Sequence, residues 1–87
     1  MNFTWIQTCP ACPEQYDIYA EKGPAIAYFR LRFGELEVNP YLNGKVDRST
    51  TIYRRVFSDD WKGSLQADEL NRLKQEIEQA ITLYLSH

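Results

Sequence analysis

The chain has a single histidine, its last residue, and only two cysteines in 87 residues. A histidine at a terminus, where chains commonly fray, is not a base held in a cleft, so histidine-centred acid–base catalysis is set aside. Neither a G-x-S-x-G nucleophile turn nor a phosphate-cradling G-x-x-x-x-G-K occurs. No apolar run approaches the roughly 18 residues of a membrane span. The start, Met1-Asn2-Phe3-Thr4-Trp5, lacks a basic region followed by a long apolar stretch, so the expected location is the cytoplasm. An excess of positive charge is also missing: ten Lys and Arg stand against twelve Asp and Glu, a net charge of -2 with no basic stripe. Duplex nucleic acid, which draws its partners through phosphate attraction, is therefore not an expected partner. Repeats and low-complexity segments are absent.

What the chain does have is aromatic mass: two Trp, six Tyr and four Phe. Each ring buries on the order of 150–250 Å² when covered, which suits one thin sheet-plus-helix core spanning residues 1–87 as a single domain. The clearest element is a hairpin about Phe33-Gly34. With a two-residue turn, Arg32 lies opposite Glu35 and Arg30 opposite Glu37, while Leu31 meets Leu36 and Phe29 meets Val38 on the other face. A three-residue turn would mix the two faces, so the pattern selects the even register. Before it, Phe3–Gln7 reads as a short edge strand and Tyr16–Ala20 as a strand. Ala25–Arg32 is the first arm of the hairpin and Glu35–Val38 the second.

Asn39–Ser49, with Pro40, Asn43 and Gly44, reads as a long exposed loop holding a tight turn at Asn43-Gly44. Thr50–Phe57 reads as another strand, but both of its faces are mixed, so the inward one is not specified; one arginine of Arg54-Arg55 must point each way. Ser64 is a plausible N-cap for a helix running to about Leu85, with Leu70, Leu73, Ile77, Ala80, Ile81 and Tyr84 as its apolar stripe. The expected class is α+β, an antiparallel sheet of three to four strands packed by one C-terminal helix.

Cys9-Pro10-Ala11-Cys12 has the spacing of a zinc chelate or a dithiol exchanger. Zinc takes four ligands and the only other candidate of the right type is His87, so a site would need two chains sharing one ion. A thioredoxin-like site needs its second cysteine in a helix, whereas Cys12 precedes Pro13 and a strand. Reduced cysteines in a proline-rich turn are the leading reading, and no metal or cofactor is assigned. Asp59-Asp60 reads as a turn approaching the helix.

The candidate binding residues are Tyr28, Arg30 and Arg32 on one sheet face, Tyr53, Arg54 and Arg55 on the following strand, and Trp61 and Lys62 just beyond. Arginine offers a fork for phosphate or carboxylate and tyrosine a stacking face, so this group suits a nucleotide or an acidic protein segment. Internal pairing competes with that use, because Glu35 and Glu37 stand opposite two of the arginines.

The stretch Cys12-Pro13-Glu14-Gln15-Tyr16-Asp17-Ile18-Tyr19, followed by Gly23 and then Ile26-Ala27-Tyr28-Phe29-Arg30-Leu31-Arg32-Phe33-Gly34, resembles small uncharacterised proteins carried by bacteriophages and prophages. Such proteins include inhibitors of host defence, among them anti-CRISPR proteins and proteins that sequester nucleotide signals. The resemblance implies a phage-encoded protein of this kind and carries no functional residue with it. The absence of a catalytic constellation, with the small size, acidic balance and aromatic-arginine surface, points to a non-enzymatic binding protein that occupies the surface of a host defence protein in the host cytoplasm. Two alternatives stay open: a sponge that holds a small nucleotide between the Tyr28-Arg30-Arg32 face and a second subunit, and a zinc-linked homodimer through Cys9 and Cys12.

Overall fold

A computed structural model describes residues 2–9, 14–57 and 67–86. Six strands, β1 (Thr4–Cys9), β2 (Glu14–Tyr19), β3 (Ala25–Arg32), β4 (Glu35–Leu42), β5 (Lys45–Val46) and β6 (Tyr53–Val56), form an antiparallel sheet, and one helix, α1 (Ala67–Leu85), follows. The class is α+β, with more strands than the three to four expected. Neighbours run β1-β2-β3-β4, and the far side of β4 is shared by β5 and β6.

The hairpin has the register its residues encode: Arg32 opposite Glu35, Leu31 opposite Leu36, Arg30 opposite Glu37 and Phe29 opposite Val38. Phe29, Leu31, Leu36 and Val38 are fully buried with Ile18 and Ala27, and Leu73, Ile77 and Ile81 of α1 close over them. That helix stripe is narrower than expected, since Leu70 and Ala80 are half-buried and Tyr84 is exposed. Trp5, Tyr16 and Phe29 form an aromatic wedge with ring centroids 5.5–5.8 Å apart. The Trp5 Nε1–H donates to Glu78 Oε2 at 2.9 Å and Lys74 sits over the same indole, so β1 and α1 are fixed to each other. Tyr16 donates to Glu14 Oε1 at 2.6 Å; burial first, then this bond and the carboxylate charge, push its phenol up to about 12. Ser64, the expected N-cap, lies outside the described residues.

The expected long loop at Asn39–Ser49 is instead strand and turn. β4 continues through Pro40 to Leu42, and the chain reverses at Asn43 (φ 54°) and Gly44 (φ 80°), the two left-handed positions of a hairpin turn. Proline survives in this strand for a geometric reason. The carbonyls of Val38 and Pro40 accept from Ile52 and Asp47 at 2.8 Å each, so the Pro40 nitrogen also faces the returning chain, and there the ladder lacks a donor. The returning chain leaves the ladder at that point: β5 ends at Val46 and β6 begins only at Tyr53.

The excursion satisfies its own polar groups. The Asp47 carbonyl accepts from Thr50 N at 3.4 Å, and the Asp47 carboxylate accepts from the Ser49 amide, the Ser49 hydroxyl and the Thr50 hydroxyl. These bonds hold the Asp47 carboxyl below its ordinary value. The Asn39 side chain, 2% exposed, donates Nδ2–H to the Thr50 carbonyl at 2.9 Å and pins the loop to the sheet.

Candidate functional site

Among the described residues a single helix covers one face of the sheet, and the candidate site is the other. Side chains alternate across a strand, so burying Leu31, Leu36 and Val38 beneath α1 obliges Arg30, Arg32, Glu35 and Glu37 onto the far face. Register then sets rows across the strands: Gln15, Arg30, Glu37 and Arg54 in one, Arg32, Glu35 and Val56 in the next, and Ile6, Asp17, Tyr28 and Asn39 in a third.

The arginine–glutamate register is as read from the sequence, but the contacts are not. Glu35 is taken by Arg54, whose Nη2 lies 2.6 Å from Oε2, rather than by Arg32. Glu37 accepts from Thr51 Oγ1 at 3.0 Å and from Asn39 Nδ2 at 3.4 Å, rather than from Arg30. The charge and hydrogen bond of Glu35 raise the Arg54 guanidinium above its ordinary value. Both partners are exposed, so this pair adds little to stability. Among the described residues neither Arg30 nor Arg32 forms a salt bridge; Arg32 instead lies over the Phe33 ring, 5.1 Å from its centroid. Arg30, Arg32, Phe33, Glu35 and Glu37 line an open depression of about 290 Å³.

Six of the eight expected site residues are described, and they fall on two faces. Tyr28, Arg30, Arg32 and Arg54 share the open face. Tyr53 stands opposite Val38 and Arg55 opposite Leu36, which puts both on the helix side. Tyr53 packs against the core, and Arg55 lies over Phe57 and borders a crevice with Glu69, Arg72 and Glu76 of α1. Tyr53 and Arg55 are thus separated from the other four by the sheet itself. Trp61 and Lys62 lie outside the described residues, as do Cys12 and His87; among the described residues no group of three or more His, Cys, Asp or Glu is placed to hold a metal ion.

The open face also holds residues that sequence reasoning missed. Tyr41 reaches across β3 to donate to Asp17 Oδ1 at 2.5 Å, and burial, this bond and the nearby Tyr28 and Tyr19 hold its phenol well above the usual range. A contact spanning three strands leaves no local signal. Phe33 had one: it occupies the first left-handed position of its turn (φ 51°), where asparagine, aspartate or glycine is preferred, and it is 61% exposed. Val56, 64% exposed on the same face, stands opposite Glu35.

No protein-family model matches the chain, and no curated protein or solved structure matches it significantly. No helix among the described residues is long and apolar enough to cross a membrane.

Proposed function

We propose that the chain is a non-enzymatic binding protein whose open sheet face docks on a folded protein of mixed surface charge. The observation that carries the reading is one-sided coverage. Among the described residues six strands are covered on one side by a single helix, which leaves open a face bearing Arg30, Arg32, Arg54, Glu35, Glu37, Tyr28 and Phe33. Such a surface combines the arginine and aromatic anchors that dominate protein interfaces with charges of both signs that set orientation. The phage resemblance narrows the partner to a host defence protein, inhibited by occupation of its surface in the host cytoplasm.

The nucleotide-sponge reading comes second, because Glu35 and Glu37 line the same depression as Arg30 and Arg32 and oppose a phosphate there. A zinc-linked homodimer has no observation that favours it over these two.

The test is capture of purified bacterial defence effectors on the immobilised chain, with Arg30→Glu and Arg54→Glu variants beside it. The expected result is capture of an effector by the wild type, lost on either charge reversal with folding intact. Failure to capture any effector across several hosts at low and moderate salt overturns the reading. Stabilisation of the chain by nucleotides, about 2.7 kcal/mol at a hundred times the dissociation constant, would favour the sponge instead.

A further inference from the structure

The sheet has two unlike edges. The returning chain forms one of them in two short pieces and carries Lys45, Arg48, Arg54 and Arg55, the charges and breaks that keep an edge from adding strands. β1 forms the other. Thr4–Cys9 contains no charged residue and no proline, and its outer side has no partner strand among the described residues. The irregularity between Gln7 and Cys9 lies at the end of the strand, so Thr4–Gln7 keeps regular register with Tyr19–Tyr16. Next to this edge α1 overhangs an open groove of about 590 Å³ lined by Phe3, Gln75, Glu78, Gln79, Thr82 and Leu83. Leu83 is 63% exposed there, and Ile6 is 52% exposed on the opposite face of the strand.

We propose that β1 pairs antiparallel with β1 of a second copy, joining two sheets into one across a two-fold axis. In such an interface each residue near the axis meets itself or its close neighbours, so any free charge there is repelled by its own copy. This flank satisfies that condition. Its described charges are one of each sign, and both are held on Trp5: Glu78 accepts from the indole N–H at 2.9 Å and Lys74 lies over the ring, 5.2 Å from its centroid.

Pairing about an axis normal to the sheet also places both helices in one layer. The two grooves then face each other, and Phe3 and Leu83 of one copy close over those of the other. A bare peptide added to the edge would satisfy the strand's backbone groups but bring no second helix to fill the groove. The pairing leaves the open sheet face of each copy available and is independent of the function proposed for it.

Sedimentation velocity on the full chain, over a micromolar concentration series with reductant and chelator present, tests the proposal. The expected species has twice the 10.2 kDa mass of the chain. Ile6→Lys, with an unchanged circular dichroism spectrum, is expected to raise the dimer dissociation constant at least ~10-fold by setting like charges across the axis. Thr4→Lys, on the same face, takes its place if Ile6→Lys does not fold. Mixing Ile6→Lys with Ile6→Glu is expected to restore a dimer that neither forms alone. A wild type that stays monomeric through the series overturns the proposal, as does a dimer indifferent to both lysine variants.

Discussion

Asn39→Asp exchanges one nitrogen for oxygen at the point where the β5–β6 excursion is tied to the sheet. The side chain is 2% exposed and its Nδ2 donates to the Thr50 carbonyl at 2.9 Å, with Glu37 Oε2 3.4 Å away. An ionised carboxylate there would face a carbonyl and a second carboxylate with nothing to donate. Losing the bond and leaving the Thr50 carbonyl unsatisfied costs about 1–3 kcal/mol. Burial beside Glu37 raises the introduced acid's folded pKa, and each unit of rise adds about 1.4 kcal/mol while the group is ionised. A two-unit rise therefore brings the total to about 4–6 kcal/mol at neutral pH.

The sign follows from linkage. A carboxyl whose folded pKa lies above its unfolded value destabilises once pH rises past about 3.9, and that part of the penalty is relieved as pH falls back toward it. Urea denaturation of Asn39→Asp and wild type at pH ~7 and pH ~4 reads this directly, since midpoints convert to free energy through the slope. The difference between the two proteins is expected to shrink by about 2 kcal/mol at the lower pH. An equal penalty at both values, or none at either, would refute the assignment of Asn39 as the donor that holds the loop.

Phe33→Asn is expected to leave stability unchanged or raise it by up to about 1 kcal/mol, because relief at a left-handed position offsets the loss of a largely exposed ring. Phe29→Ala, in the core, should cost about 3–5 kcal/mol in the same denaturation assay, and a Phe33→Asn loss of similar size would show that the turn phenyl is structural. Tyr16, with its phenol pushed up to about 12, contributes stability that is complete below its unfolded value near 10 and is lost as pH rises from there toward 12. Tyr16→Phe should flatten that alkaline decline; an unchanged slope would remove Tyr16 as its source. Asp47, held below its ordinary value, contributes stability that is present above about pH 4 and lost as pH falls through the lowered folded value. Asp47→Ala should weaken the acid dependence measured by thermal melts, and an identical pH profile would count against the loop's hydrogen bonds.

The hairpin was legible because its residues specify their own partners: slipping Phe29–Val38 by one position would mix acids with leucines, so one register survives. The helix was legible through the spacing of Leu73, Ile77 and Ile81. Asn39–Ser49 was not, because Pro40 reads as a strand breaker; whether proline fits depends on which neighbour its nitrogen faces, and that neighbour comes later in the chain. The same dependence hid the orientation of Arg54 and Arg55. Both faces of Thr50–Phe57 are mixed, so only pairing of Arg55 with Leu36 and Arg54 with Glu37 decides between them. The candidate site was accordingly half readable: Tyr28, Arg30 and Arg32 came with the hairpin, whereas assigning Arg54 to the open face required the sheet.

The proline-induced departure of the returning chain also limits growth. A ribbon with uninterrupted hydrogen-bonding margins on both flanks can recruit copy after copy and run on as a fibre. Here one margin is cut into fragments of two and four residues, so any accretion along the opposite margin terminates after a single addition, and a solubility hazard is confined to a finite, closed particle.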